Sequence, residues 1–342
     1  MADYTAVDDS SAFFQCKLYT GNGGTQSITL DGLNDMQPDF VWLKKRSDAD
    51  NHSLFNSTSG VTKTIYSNLN ESEYTESTSL TAFGSNGFSL GADGVVNANT
   101  KTFLSMNWKE SATAGFDIVG YTGNASNRTI SHSLSAIPKM MIIKRLSGTA
   151  TAWLVYHASI GATKGLNLNT TGAPDDADTY FQDTAPSSSV FTLGNTGEVN
   201  ADGATYINFL FSEKQGFSKF GAYYGNGSAT DETDLNAYGT AGGGTFVYTG
   251  FKPAMVMVRR YDSGDSWVFG NNKALGWNPD NNFMLMDADA AESPTDWCNF
   301  LSNGFKLART DSSVNHSGGT FIFMAFAENP FVSSGGVPGT AR

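Results

Sequence analysis

The chain has 342 residues, of which 39% are hydrophobic, 13% aromatic and 16% charged, and its net charge is −12. This aromatic content argues against disorder, and the length allows two or three domains. The acidic excess predicts neither nucleic acid nor an anionic membrane surface as a partner. The sequence has no apolar run of membrane-span length and no apolar signal segment at the N-terminus. Its two cysteines, Cys16 and Cys298, are too few for a disulfide scaffold.

Three copies of one sequence pattern follow one another along the chain. Each copy opens with an aromatic residue, a tyrosine and Gly-Asn, namely Phe14…Tyr19…Asn22, Phe116…Tyr121…Asn124 and Phe220…Tyr224…Asn226. A proline then precedes an apolar run and a basic pair: Pro38 with Lys44-Lys45, Pro138 with Lys144-Arg145, and Pro253 with Arg259-Arg260. The copies close on Asn97…Thr102…Glu110, Asn200…Thr205…Glu213 and Asn315…Thr320…Glu328. The spacing of the closing motif is the same in all three copies, which indicates a threefold internal repeat.

The closing segments alternate apolar and other residues, a pattern typical of a strand with one face in a core. We therefore predict that Trp108, Phe211 and Phe326 are core residues, each within its own module. The asparagine before each closing strand predicts a hairpin turn. The strands that follow the three prolines are apolar on both faces, so we expect them to be central and covered above and below.

Together these elements predict an all-β protein of three tandem antiparallel β-sandwich modules, of jelly-roll or concanavalin-like type. The predicted boundaries are an N-terminal arm at 1–12, modules at 13–112, 113–215 and 216–328, and an extended C-terminal strap at 329–342. Long stretches of helical periodicity are missing, and a single short helix is expected near 71–76 or 288–292.

A search for chemistry in the sequence predicts no catalytic residues, no metal site and no cofactor. The four histidines form no ligand pair, and the nucleophile-elbow, Walker and dinucleotide glycine patterns are missing. Acidic clusters, such as Asp287, Asp289 and Glu292, are interpreted as solvated loops, with weak calcium binding as the alternative. The repeated Glu110, Glu213 and Glu328 are expected to form structural ion pairs with the basic pairs.

The quoted motifs carry a resemblance to a known class of proteins. The opening YTGNG, the PDFVWLK strand, the GFSLG turn and the ending AFAENPFVSSGGVPGTAR resemble repeat-containing structural proteins of tailed, especially marine, bacteriophages. The resemblance implies a virion component, assembled in the host bacterial cytoplasm, such as a tail fibre, a tail-tip protein, or a fibre or decoration on the head. Some such proteins resemble concanavalin-like carbohydrate-binding sandwiches.

Three functions therefore stay open at this point. The first is a non-enzymatic virion structural protein whose partners are other virion proteins and copies of itself, with a homotrimer as one option. The second is a carbohydrate-binding module for the host surface, with Trp277 and Trp297 as candidate glycan contacts because they have no counterpart in the other copies. A polysaccharide depolymerase is the third. The candidate assembly contacts are Pro330, Phe331 and Val332 of the strap, because their apolar groups gain by burial on a partner.

Overall fold

The structure is a computed structural model that describes residues 5–176, 178–229, 243–274, 280–333 and 335–338. It is all-β, with several antiparallel sheets connected by turns and a few single-turn helices. The prediction of the fold class is confirmed at this level. The chain enters through a short 3-10 helix, Ser10–Ala12, in which the Asp9 side chain accepts a hydrogen bond from Ser11 N.

Residues 13–112, called repeat 1, form a six-stranded sheet and a three-stranded sheet. The large sheet has the order β1-β9-β3-β4-β5-β6 and the small sheet the order β2-β8-β7. The elements are β1 (Phe14–Thr20), β2 (Gln26–Thr29), β3 (Phe40–Lys45), β4 (Ser53–Asn56), β5 (Lys63–Tyr66), β6 (Tyr74–Thr75), β7 (Leu80–Gly84), β8 (Gly87–Leu90), helix α1 (Gly94–Asn97) and β9 (Thr102–Trp108).

Residues 113–215, called repeat 2, form the sheet β10-β17-β12-β13-β14-β15 and the pair β11-β16. The elements are β10 (Phe116–Thr122), β11 (Arg128–Ser131), β12 (Met140–Arg145), β13 (Leu154–His157), β14 (Lys164–Asn167), β15 (Asp175–Asp176), helix α2 (Asp178–Phe181), β16 (Val190–Leu193), helix α3 (Gly197–Asn200) and β17 (Thr205–Phe211).

Residues 216–328 with the start of the tail, called repeat 3, form one continuous sheet of the order β18-β25-β20-β21-β22-β23-β24-β19. The elements are β18 (Ser218–Tyr224), β19 (Phe246–Tyr248), β20 (Phe251–Arg260), β21 (Trp267–Asn271), β22 (Asp280–Leu285), β23 (Ser293–Leu301), β24 (Gly304–Leu307), helix α4 (Ser312–Asn315) and β25 (Thr320–Pro330). The β24–β23 part corresponds in sequence to the small sheets of repeats 1 and 2.

The sequence repeat is also a repeat of strand pairing. In every copy the first strand pairs with the closing strand, which pairs in turn with the strand that follows the proline. The registers agree too, because the closing aromatic residue faces equivalent partners in the sets Phe14–Trp108–Phe40, Phe116–Phe211–Met140 and Ser218–Phe326–Met255. As predicted, β3, β12 and β20 are interior strands and are buried along nearly all of their length.

Four hydrophobic clusters account for the core. Three of them each draw on one repeat alone and combine side chains of its large sheet with those of its small or outer strands. The fourth and largest cluster draws on all three repeats and lies between their large sheets. Each large sheet therefore buries one face within its own repeat and the other face in a core shared by the whole molecule.

Trp108, Phe211 and Phe326 meet in this shared core. Each is 1% exposed, and their ring centroids are 6.3, 5.9 and 5.7 Å apart for the pairs Trp108–Phe211, Phe211–Phe326 and Trp108–Phe326. Their burial is confirmed, but the prediction that each belongs to its own module is wrong. The physical reason is that both faces of the closing strands are buried, and the apolar face that carries these rings is the one that packs against the other repeats.

Two local predictions are also corrected. The asparagines before the closing strands end one-turn helices, α1, α3 and α4, and do not form two-residue hairpin turns. The segments 71–76 and 288–292 are not helical, and the first of them contains strand β6.

Candidate functional site

Asn97, Asn200 and Asn315 make the same hydrogen bonds in the three repeats. Each Oδ1 accepts the main-chain N–H of the opening asparagine, Asn22, Asn124 or Asn226, at 3.0 Å. Each Nδ2 donates to three oxygens, which include the carbonyl of Gly24, Ser126 or Ser228 at 2.6 to 2.8 Å. The predicted equivalence of the three asparagines is thereby confirmed, and they tie the opening turn of each repeat to its last helix.

A stacked tyrosine accompanies each of these asparagine networks. Tyr19, Tyr121 and Tyr223 each donate a hydrogen bond from Oη to a carbonyl of the adjacent helix, at 2.7 to 2.8 Å. The structural counterpart of Tyr19 is therefore Tyr223, and not Tyr224 as the sequence motif suggested. Tyr224 occupies the position of Thr20 and Thr122, and it is 74% exposed.

Buried cations join the repeats in a cyclic order. Lys44 of repeat 1 donates to Asp289 O of repeat 3 at 3.0 Å, and Lys144 of repeat 2 donates to Asn70 O of repeat 1 at 2.9 Å. Arg259 of repeat 3 closes the cycle by donating to Gly172 O of repeat 2 at 2.6 Å. Burial lowers the pKa of both lysines to about 8. These side chains serve to hold the repeats together, since their partners are main-chain carbonyls.

Ring N–H groups reinforce the same three contacts. Trp153 Nε1 donates to Tyr66 O at 2.9 Å and Trp267 Nε1 to Asn167 O at 3.0 Å. In repeat 1 the equivalent group is His52, whose Nε2 lies 3.0 Å from Leu285 O while its Nδ1 accepts a bond from Trp42 Nε1. Each repeat thus binds the one before it, and repeat 1 binds repeat 3.

The predicted ion pairs between the repeated glutamates and the basic pairs are wrong. Glu213 pairs with Lys219 at 2.8 Å, and Glu328 pairs with Lys252 at 3.3 Å. Glu110 contacts the carboxyl group of Asp117. The basic pairs lie at the ends of β3, β12 and β20, next to the starts of the closing strands, whereas the glutamates lie at the ends of the closing strands. The two groups are therefore separated by the length of a strand.

Both described chain ends lie at one end of the molecule, which we call the terminal pole. It comprises the N-terminal residues 5–12, the connections 109–115 and 212–217 between repeats, the loops that lead into β3, β12 and β20, and the tail after β25. Ala6 N donates to Gln215 O at 2.9 Å, and Val7 is buried in the shared core. The described part of the predicted N-terminal arm is therefore packed against the molecule.

The terminal pole carries exposed apolar side chains and a cleft. Exposed large hydrophobic residues there are Leu33, Ile137, Tyr248, Phe331 and Val337. The cleft has a volume of about 570 Å³ and lies between repeats 2 and 3 and the tail. Its lining combines Tyr248, Phe331 and Val332 with the polar side chains of Lys139, Glu213, Gln215, Ser218 and Lys219.

An exposed aromatic pair lies next to this cleft, on the outer surface of repeat 3. Phe246 and Tyr248 are 46% and 59% exposed, while Val247 between them points into the core of repeat 3. Among the described strands β19 pairs with β24 alone, with Phe246 opposite Lys306 and Tyr248 opposite Gly304. The matching outward positions are Ser27 and Thr29 in repeat 1 and Thr129 and Ser131 in repeat 2.

The candidate glycan contacts from the sequence are not part of this surface. Trp297 is 0% exposed and packs in the core of repeat 3, which leaves no ring face for a sugar. This corrects the expectation that it is an open loop residue, because it lies on β23 and faces inward. Trp277 lies outside the described residues.

The candidate assembly contacts are partly used within the chain. Pro330 is buried and pairs with Phe251 at the end of the β25–β20 ladder, and Val332 lines the cleft. Phe331 is the exposed member of the three. The tail is folded back, because Val332 pairs with Pro338 and Ser333 N donates to Val337 O. Residues 329 and 330 are extended as the end of β25, but an extended strap is wrong for residues 331–333 and 335–338.

Sequence reasoning missed Phe246 and Tyr248, although a signal for them was present. Once Tyr223 is matched with Tyr19, the third copy has aromatic residues at positions where the other two copies have serine or threonine. That alignment would have marked Tyr224, Phe246 and Tyr248 as unique to the third copy.

The described residues contain neither a metal-binding cluster nor a membrane-spanning helix. Within them, no group of three or more His, Cys, Asp or Glu side chains is arranged to hold a metal ion. Of the acidic cluster at 287–292, Glu292 pairs with Arg46 at 2.6 Å and Asp287 accepts a bond from Trp267 N. No helix among the described residues is long and apolar enough to cross a membrane.

Comparison with known families places the chain in one of them. The family described as Domain of unknown function (DUF7483) matches residues 9–330, and so it includes all three repeats. The chain belongs to this family. No curated protein matches the sequence.

Proposed function

We propose that this protein is a non-enzymatic structural protein of a bacteriophage virion, an appendage of the tail or of the head. Support comes from the resemblance of its repeat motifs to phage structural proteins and from the use of its buried polar groups. Lys44, Lys144, Arg259 and the ring N–H groups bond to main-chain carbonyls of neighbouring repeats. Such a chain is built to hold one shape.

In this proposal the three repeats are three β-sandwich modules with the boundaries given above. Each would enclose its own cluster between a large sheet and a smaller outer sheet, and all three would close around the shared core. The internal arrangement is therefore threefold within one chain. Partners of the protein are other virion proteins and copies of itself.

The proposed attachment site rests on one observation, the concentration of exposed apolar residues at the terminal pole. Leu33 and Ile137 lie in equivalent loops of repeats 1 and 2, and Val337 lies in the tail. Exposed apolar groups rimmed by polar residues are typical of protein–protein contacts. We therefore propose that the protein docks on the particle through this pole.

The experiment compares incorporation of tagged variants into purified phage particles. The triple variant L33S/I137S/V337S should be lost from particles while it keeps the melting temperature of the wild type, because all three side chains are exposed. The control is Y224T, which removes an exposed ring at the end of β18 that lies away from the terminal pole. This variant should be incorporated normally. Normal incorporation of the triple variant would place the contact elsewhere, and absence of the wild type from particles would refute the virion role.

A further inference from the structure

We propose that the outer surface of repeat 3 binds a linear carbohydrate chain through Phe246 and Tyr248. The proposal goes beyond the structural role, and it does not depend on it, because it rests on this surface alone. Both rings are exposed, on adjacent outward positions of one strand. Exposed aromatic rings pack well against the C–H faces of sugar rings, since both faces are apolar and the sugar keeps its hydroxyl groups at its edge.

The fold does not need these two rings. The same strand exists in repeats 1 and 2, where hydroxyl residues occupy the outward positions and only the inward residue, Ile28 or Ile130, is hydrophobic. Val247 supplies that inward contact in repeat 3. Phe246 and Tyr248 are thus additions to a repeated framework, placed where large apolar groups are costly to expose.

The placement of the rings suits an extended ligand. Residues two apart on one face of a strand are about 7 Å apart, so a linear chain that follows β19 crosses both rings. Gly304, opposite Tyr248, has no side chain, and a Cβ atom placed on it would lie 3.1 Å from Cε2 of Phe246. The ring of Phe246 therefore lies close to the sheet surface, against the main chain at Gly304.

Polar groups at the end of this surface suit a carbohydrate better than a lipid surface. The cleft beside Tyr248 offers Lys139, Gln215 and the ion pair of Glu213 with Lys219, whose atoms are 2.8 Å apart. Sugar hydroxyl groups both donate and accept hydrogen bonds, so they complement a lining that contains both kinds of group. A lipid surface would require an excess of cations, whereas the chain carries a net charge of −12.

The test is direct binding of neutral hexose oligomers to the full chain. Cellohexaose, chitohexaose, laminarihexaose and maltohexaose are each titrated by calorimetry and by saturation-transfer NMR. At least one should bind, and F246S/Y248T should weaken that binding about tenfold or more, a loss of about 1.4 kcal/mol. The replacements are the residues at the equivalent positions of repeat 1, Ser27 and Thr29, and the single variants F246S and Y248T are measured alongside.

Y224T is the matched control, because it replaces another exposed aromatic residue, on a strand of the large sheet, by the threonine of the other repeats. It should leave the affinity unchanged. The proposal is overturned if none of the four hexamers binds, or if Y224T weakens binding as much as F246S/Y248T. It is also overturned if the bound sugar receives no saturation from aromatic protons of the protein, because the rings would then not be in contact with it.

Discussion

Glu110 and Asp117 bring two carboxyl groups into contact where repeat 1 joins repeat 2. The equivalent residues where repeat 2 joins repeat 3 are Glu213 and Lys219, which form an ion pair. The junction of repeats 1 and 2 thus has two carboxyl groups where the junction of repeats 2 and 3 has a carboxylate and an ammonium group. Burial, together with the hydrogen bond to Asp117, raises the pKa of Glu110 to about 7, and Asp39 also faces this group.

The first prediction follows from this raised pKa. The folded protein holds the Glu110 proton more tightly than the unfolded chain, so stability falls as the pH rises from about 5 to about 8. E110Q should remove this pH-dependent contribution. The free energy of unfolding of E110Q, measured with urea, should therefore rise relative to that of the wild type across that interval. E213Q is the control, because its carboxylate faces Lys219, and it should keep the slope of the wild type. A constant difference between E110Q and wild type at all four of pH 5, 6, 7 and 8 would contradict the assignment.

The second prediction concerns acid and His52. Burial lowers the pKa of His52 to about 3, with a further contribution from Lys44. The unfolded chain takes up the proton first, so stability is lost as the pH falls below about 6.5. H52Q should lower the free energy of unfolding by about 1–3 kcal/mol at pH 7, because the hydrogen bonds between repeats are broken. Between pH 6.5 and 4, however, the free energy of unfolding of H52Q should fall less than that of the wild type. H132Q, at a histidine outside the inter-repeat contacts, should behave as wild type, and an acid response of H52Q equal to that of wild type would refute the prediction.

The third prediction tests the asparagine network of repeat 2. N200A removes an acceptor and a donor that are both buried, and it should cost about 1–3 kcal/mol in chemical unfolding. N200D should cost more, because its carboxylate would face three oxygens that now accept bonds from Nδ2. The exposed Asn127, whose side chain donates to Gln182, provides the control N127A, with a change in the free energy of unfolding under about 0.5 kcal/mol. Equal effects of N127A and N200A would contradict this role.

The fourth prediction tests the shared core. F211A should cost about 3–5 kcal/mol, because Phe211 is fully buried among rings of all three repeats. Hydrogen exchange should then quicken in β9 and β25 as well as in β17. F191A removes a buried ring of the cluster that belongs to repeat 2 alone, so its effect should concentrate in repeat 2. Identical exchange patterns for F191A and F211A would argue against a core that couples the repeats.

Much of the strand layout could be predicted from sequence, because β3, β12 and β20 are apolar on both faces and the closing strands alternate. The packing partners of those faces could not be predicted. The strand face that carries Trp108 has the same apolar sequence pattern whether it packs within its own repeat or against another repeat. The inter-repeat hydrogen bonds of Lys44, Lys144 and Arg259 were missed for a related reason. Their partners are main-chain carbonyls of other repeats, and every residue has such a carbonyl, so the sequence does not identify them. The aromatic pair was missed because Tyr224 was matched with Tyr19.

The central claim is that this protein is a structural part of a virion, held by its terminal pole. The most direct measurement is a cryo-electron microscopy map of particles purified from infected host cells, into which the structure is fitted. We expect density for the three repeats on the head or tail surface, with Leu33, Ile137 and Val337 facing the particle. Density in which the terminal pole points away from the particle, or particles that lack the protein altogether, would contradict the account.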